Sequence, residues 1–192
     1  NNSLPNLHLL SAYAEIIKYG LIYDEVFWKL ISTQNPNQIK LPEIIYRCVD
    51  IKVNIVKNDF YDQNLRRKLN FGHTVSHSIE SVFLANGISI SHGHALAIGL
   101  ICESYISYKT STLTQQQLDS IVSCILSLFK YQDLSLVDNM QIIDFIKKDK
   151  KNIDHKYNFT LLKSIGQSVI NCNVSEQLIL SSLNFYINLC RA

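Results

Sequence analysis

The sequence predicts a mainly α-helical domain with a small β-hairpin. Three observations carry that reading. Apolar residues recur at helical spacing in about eight segments, cap-forming residues stand at several of their starts, and a single stretch, Tyr157 to Val169, reads as extended. No internal repeat or low-complexity tract interrupts the pattern.

In chain order, Leu9, Leu10, Tyr13, Ile16 and Ile17 define a first helix from Leu7 to Tyr19, with Gly20 as the expected stop. Glu15 and Lys18 lie three apart on it, and such a surface pair is worth ~0.2–0.5 kcal/mol. Asp24 caps a short helix over Glu25 to Ser32, and Thr33 to Asn37 form a loop. Pro42 opens a third helix through Ile44, Cys48, Val49, Val53 and Val56, with Lys52 inside an otherwise apolar register. Asn58 to Asn64 is polar enough to turn. Gly72 follows, and glycine inside a helix costs about 1 kcal/mol relative to alanine, so it marks a helix start or a close backbone approach.

Asn86-Gly87 ends the next helix, and another from His92 is apolar almost all round through Ile106, as suits a helix at the domain centre. Thr114 and Gln117 form a capping box ahead of a helix reaching Phe129. A further helix covers Asn139 to Lys148. Ser175 with Glu176 starts the last one, which runs to Cys190.

With 192 residues, 47% of them hydrophobic and 18% charged, the chain can bury a sizeable core as one domain. The net charge of +2 and the short Lys147–Lys151 run exclude a nucleic-acid footprint. Five widely spaced cysteines, with no C-x-x-C pair and no secretory signal, read as reduced thiols of a cytoplasmic protein. Apolar runs stop short of membrane-spanning length. The chain begins at Asn1 rather than Met and reads as helix almost at once, which fits a piece of a longer protein.

The stretch Arg66 to Glu80 departs from core patterning. On a continuous helix Arg66, Asn70, His73 and His77 would share one face, giving it a cation, an amide and two imidazoles. A core face would carry leucine or isoleucine there, since an unpaired buried polar group costs roughly 1–3 kcal/mol. Gly72 weakens the shared face upstream of it and leaves His73 and His77 at i, i+4. Glu15, His73 and His92 could hold a divalent metal from three helices. Equally, His73 and His77 could clip one metal between them, or both could be satisfied structural histidines. Taken singly, Lys52, Arg66 and Lys150 suit a solvated face.

Several motifs in series resemble the C-terminal domain of the 3-dehydroquinate synthase family. Ala14-Glu15-Ile16-Ile17-Lys18-Tyr19-Gly20 is similar to A-E-V-I-K-Y-G, and Leu69 to Glu80 to L-N-x-G-H-T-x-G-H-A-I-E. His92-Gly93-His94-Ala95 resembles H-G-E-A, and Asp149-Lys150-Lys151 matches D-K-K. The likeness runs in order from Ser3-Leu4-Pro5, similar to T-L-P, to the last helix.

The resemblance implies a shikimate-pathway lyase. Its reaction converts 3-deoxy-D-arabino-heptulosonate 7-phosphate to 3-dehydroquinate with phosphate elimination, using NAD catalytically and a divalent metal, zinc or cobalt. Glu15, His73 and His92 are then the metal ligands, which sets the His73–His77 clip aside. His77, Lys18 and Asn70 serve the chemistry, while Lys52, Arg66, Asn70, Lys150 and Asp62 bind a phosphorylated sugar acid. Ser3 and Leu4 contact the cofactor. A homodimer is implied, as is a separate N-terminal NAD-binding domain, without which this chain is expected to be inactive.

Some residues depart from the family pattern. His8 replaces a cofactor-binding Glu, Ser76 a Gly, Phe60 a Glu, and His94 the Glu of H-G-E. An H-G-H motif occurs in relatives that cyclise other sugar phosphates, of the valiolone or deoxy-inosose synthase type, so His94 is expected to bear on substrate choice. Retention of His77 speaks for dehydroquinate synthase. A metal-dependent glycerol or alcohol dehydrogenase would not need Lys52, Arg66, Asn70 and Lys150 together. A purely structural helical module would not need the ligands.

Overall fold

A computed structural model of the chain describes residues 6–33, 41–148 and 157–189. Eight α-helices and one antiparallel hairpin make up its regular structure among those residues: α1 (Asn6–Tyr23), α2 (Glu25–Thr33), α3 (Leu41–Asn58), α4 (His73–Ala85), α5 (His92–Thr110), α6 (Gln115–Leu128), α7 (Asn139–Lys147), β1 (Tyr157–Ser164), β2 (Gln167–Val174) and α8 (Glu176–Asn188). Two 3₁₀ turns, Leu65–Asn70 and Leu134–Leu136, complete them. The expected mainly α class with a hairpin is what forms.

Helix α5 is the axis. Its residues Ala95 to Cys102 are buried without a polar gap, and α1, α4, α6, α8 and β1 all pack on it. A helix apolar on every side finds partners on every side. Caps set the starts as the sequence indicates. Asp24 Oδ1 accepts from Phe27 N at 2.9 Å, the Thr114–Gln117 box closes reciprocally, and Ser175 accepts from Leu178 N. No helix among the described residues is long and apolar enough to cross a membrane.

Two expectations change. Helix α1 continues through Gly20 to Tyr23, because the missing side chain admits the Trp28 backbone of α2; a Cβ there would lie 3.1 Å from Trp28 Cα. The hairpin extends to Val174, beyond Val169, pairing Tyr157 with Val174. The break expected at Gly72 does form: a 3₁₀ turn ends at Asn70, Gly72 adopts φ +81°, and α4 begins afresh at His73. The loop beyond Thr33, Cys190 and the Asp149-Lys150-Lys151 motif lie outside the described residues.

The Gly72 bend is fixed by packing. A Cβ on Gly72 would sit 2.7 Å from a Leu100 methyl, and one on Gly99 would sit 2.0 Å from the Gly72 carbonyl oxygen. Only glycine at both positions lets the start of α4 lie directly on α5.

Candidate metal and substrate site

Three helices bring their ends or flanks to one point. Glu15 comes from the middle of α1, and His73 and His92 are the first residues of α4 and α5. Glu15 Oε1 lies 3.4 Å from His73 Nε2 and 3.8 Å from His92 Nε2. One ligand atom from each of the three falls within 4.8 Å of the others.

The outer nitrogens of both rings are engaged. His92 Nδ1 lies 3.0 Å from Glu80 Oε1, and His73 Nδ1 lies 3.2 Å from the Phe71 carbonyl oxygen. Carboxylate and carbonyl oxygens only accept, so Nδ1 donates in each ring, and Nε2 is the nitrogen left facing Glu15 for a metal to take. Such outer hydrogen bonds orient histidine ligands at metal centres. Two inward imidazole nitrogens and a carboxylate suit a divalent ion with positions left for other ligands. The residues present therefore fit the implied metal.

Glu15 also receives the Lys18 ammonium at 2.6 Å. Burial pushes the Glu15 carboxyl up, but the hydrogen bond with His73 and the charge of Lys18 outweigh it and hold the group at about 2. Lys18 is 4% exposed, and burial drives its ammonium down against the pull of Glu15.

Beside the triad opens a cleft of about 540 Å³ lined by Glu15, Lys18, Tyr19, Lys52, Asp62, Arg66, Leu69, Asn70 and His73. All described residues named from the sequence for metal or substrate line it, except His92, which joins through Glu15, and His77. His77 is exposed one turn along α4, its ring centroid 5.2 Å from that of His73. Lys150, Ser3 and Leu4 lie outside the described residues.

The cleft's outer wall is a turn. Asp59 accepts from the backbone N–H of Gln63, Asn64 and Arg66, and Arg66 Nη1 donates to the Phe60 carbonyl at 3.3 Å. The Phe60 ring itself is 71% exposed. From behind, Thr160 of β1 donates to the Arg67 carbonyl, and Arg67 Nη1 donates to Asn171 of β2.

Two departures from the family pattern resolve structurally. His94 does not line the cleft; its Nδ1 is 2.7 Å from Ser91 Oγ and its ring meets Phe129 of α6 edge to face at 5.8 Å. His94 therefore stands apart from the residues that line the cleft. Ser76 is fully buried, with its hydroxyl folded back 3.4 Å from the His73 carbonyl.

Sequence reasoning gave no role to Glu80 or Glu103. Glu103 is fully buried on α5, and its carboxylate accepts from Gly72 N at 2.7 Å and Val75 N at 3.2 Å. A carboxylate within an otherwise apolar helix was the available signal.

Residues 12–152 match the family model described as 3-dehydroquinate synthase C-terminal. The chain belongs to the 3-dehydroquinate synthase family. The 3-dehydroquinate synthase of Parabacteroides distasonis is 36% identical over 189 residues, which cover 96% of this chain and 53% of that one. The Clostridium perfringens enzyme of the same name is 37% identical over 171 residues, 88% of this chain and 48% of that one. The chain thus spans about half the length of the curated relatives it matches.

Solved structures of the same fold include a 2-epi-5-epi-valiolone synthase from Streptomyces hygroscopicus with NAD⁺ and Zn²⁺ bound. It has a TM-score of 0.82 and 21% identity, over 97% of this chain and 53% of that one. A 2-deoxy-scyllo-inosose synthase complexed with carbaglucose-6-phosphate, NAD⁺ and Co²⁺ has a TM-score of 0.76 and 20% identity, over 94% and 53%.

Proposed function

We propose that this chain is the metal- and substrate-binding part of a 3-dehydroquinate synthase, which converts 3-deoxy-D-arabino-heptulosonate 7-phosphate to 3-dehydroquinate and phosphate. One observation carries the reading. A single cleft joins the Glu15–His73–His92 triad to Lys18, Lys52, Arg66 and Asn70, a set of cations and an amide suited to a polyhydroxylated anion. A simple polyol would need no such set, which disfavours a glycerol or alcohol dehydrogenase. The valiolone and deoxy-inosose synthases share the fold at 21% and 20% identity, too little to argue their substrates.

A divalent ion held by Glu15, His73 and His92 would supply Lewis acidity, lowering the pKa of a chelated hydroxyl and polarising its carbonyl. Arg66 offers a fork to the substrate carboxylate. Lys18, buried beside Glu15, contributes a positive charge poorly screened by water. Asn70 orients a hydroxyl. His77 is the proton acceptor, as an imidazole's ordinary range spans neutral pH. Lys150 completes the phosphate contacts. NAD, with Ser3 and Leu4 beside it, is held chiefly by a domain outside this chain, so the chain alone is inactive. We also assign the protein to the cytoplasm as a homodimer, on the free thiols of the described cysteines and on the family resemblance.

The test is an assay of the full-length protein with NAD and zinc, offering the heptulosonate phosphate in competition with sedoheptulose 7-phosphate. Phosphate release and dehydroquinate from the former are expected; preferential cyclisation of the latter would overturn the substrate assignment. Metal analysis beside a Glu15→Ala variant should show about one ion per chain lost, and equal metal in both would sink the ligand set.

A further inference from the structure

Helix α4 begins on Gly72, which has no side chain with which to cap it. The first N–H groups of any helix need acceptors from elsewhere. Here they come from another helix. Glu103, fully buried three turns along α5, places Oε2 2.7 Å from Gly72 N and Oε1 3.2 Å from Val75 N. These donors are at the cap and third positions of α4, and His73 lies between them.

A carboxylate at this depth loses its hydration and is retained only where its acceptors are used. Mere packing of α4 on α5 would be served by leucine. The carboxylate also places negative charge where the α4 dipole is positive. The same α5 carries His92 at its first residue, and the Gly72 carbonyl abuts Gly99 of α5. One helix therefore bears one proposed ligand and grips the backbone on both sides of another.

We propose that Glu103 is a positioning residue for the metal centre, fixing His73 Nε2 relative to His92 and Glu15 by capping α4 from α5. This rests on the reading of Glu15, His73 and His92 as metal ligands. Glu103 does not line the cleft and takes no part in binding substrate. Its carboxylate accepts on both oxygens. A glutamine can accept on only one and turns its NH₂ toward the other N–H.

The experiment measures zinc affinity of the full-length protein by competition with a chromophoric chelator, well below each variant's unfolding temperature. Glu103→Gln is expected to bind zinc ~10–100-fold more weakly, the range for loss of an outer partner of a metal ligand. Leu134→Ala, a buried change in the 3₁₀ turn Leu134–Leu136, which belongs to none of the ligand-bearing helices, controls for lost stability and should bind zinc within about two-fold of wild type, the scatter expected where sites are independent. Wild-type affinity in Glu103→Gln, or an equal loss in both variants, overturns the proposal. Should Glu103→Gln not fold, Glu103→Asp replaces it; one methylene shorter, it cannot hold both N–H groups, so several-fold weaker binding is expected and undiminished binding overturns the role. A wild-type protein that takes up no zinc overturns the ligand reading itself, whereas normal wild-type uptake matched by the glutamine variant overturns only Glu103.

Discussion

His73 and Arg66 lie close in sequence and line the same cleft, yet the chain holds them by different means. His73 opens a helix whose start is buried against α5, gripped by Glu103 and shaped by two glycines with no spare room. Arg66 sits on a 3₁₀ turn whose residues are all partly exposed, held by the Asp59 turn in front and the hairpin behind. A metal ligand must be placed to a fraction of an ångström, whereas a cation that greets a flexible anion can trade position for reach. The centre therefore spends buried polar groups on placement, and the rim relies on local turn chemistry.

The largest effect should come from the centre. Gly99→Ala would force a methyl against the Gly72 carbonyl, and overpacking of this kind costs about 3 kcal/mol. Urea denaturation checks it, and near-native stability would break the contrast between an inflexible centre and a tolerant rim. Next comes acid. Glu15 is held at about 2, below its ordinary value of 4.5. The stability from its ionised form is thus present above about 4.5 and lost as pH falls toward about 2. In metal-free protein, Glu15→Gln should flatten that acid limb, measured as urea midpoints at a series of pH values. An unchanged slope would show that the centre does not depend on this charge.

At the rim, Arg66→Lys keeps the backbone bond to Asp59 and removes the fork. Catalytic efficiency of the full-length protein should fall roughly 10–100-fold, matching loss of a hydrogen bond to a charged group. Stability should stay within about 0.5 kcal/mol of wild type. A large stability loss would mean that the rim is built like the centre. The smallest effect is expected for Thr160→Val, which leaves the Arg67 carbonyl without its hydroxyl donor and should cost about 1 kcal/mol. Thermal unfolding measures that loss, and no change would remove the hairpin from the account of the rim.

The same contrast governs what could be read from sequence. Caps are local, so Asp24, Thr114 with Gln117, and Ser175 marked helix starts correctly. Gly72 announced a break because glycine is costly inside a helix, although its partner Gly99 could be found only once α4 lay on α5. The candidate site came from motifs strung along the chain, and the fold brings most of the described ones to one cleft. Glu103 and Glu80 were not legible as supports, since their partners lie 31 and 12 residues away. Spacing along a helix gives no direction for His94 relative to its neighbours, and only packing turned it toward Phe129.

The hairpin's distant contacts also bear on assembly order. Thr160 meets Arg67 across 93 residues, Asn171 meets Arg67 across 104, and Ser168 meets Ile22 across 146. Closing such loops costs entropy, as does joining α1 to α5, where Gly93 N meets Ser11 Oγ across 82 residues, so order of emergence decides between them. During synthesis the hairpin emerges after all the residues it braces, so the ligand-bearing helices can dock while the wall carrying Arg66 still lacks its backing. Maturation of the cleft is then expected to run from the metal centre outward, with the substrate wall completed last.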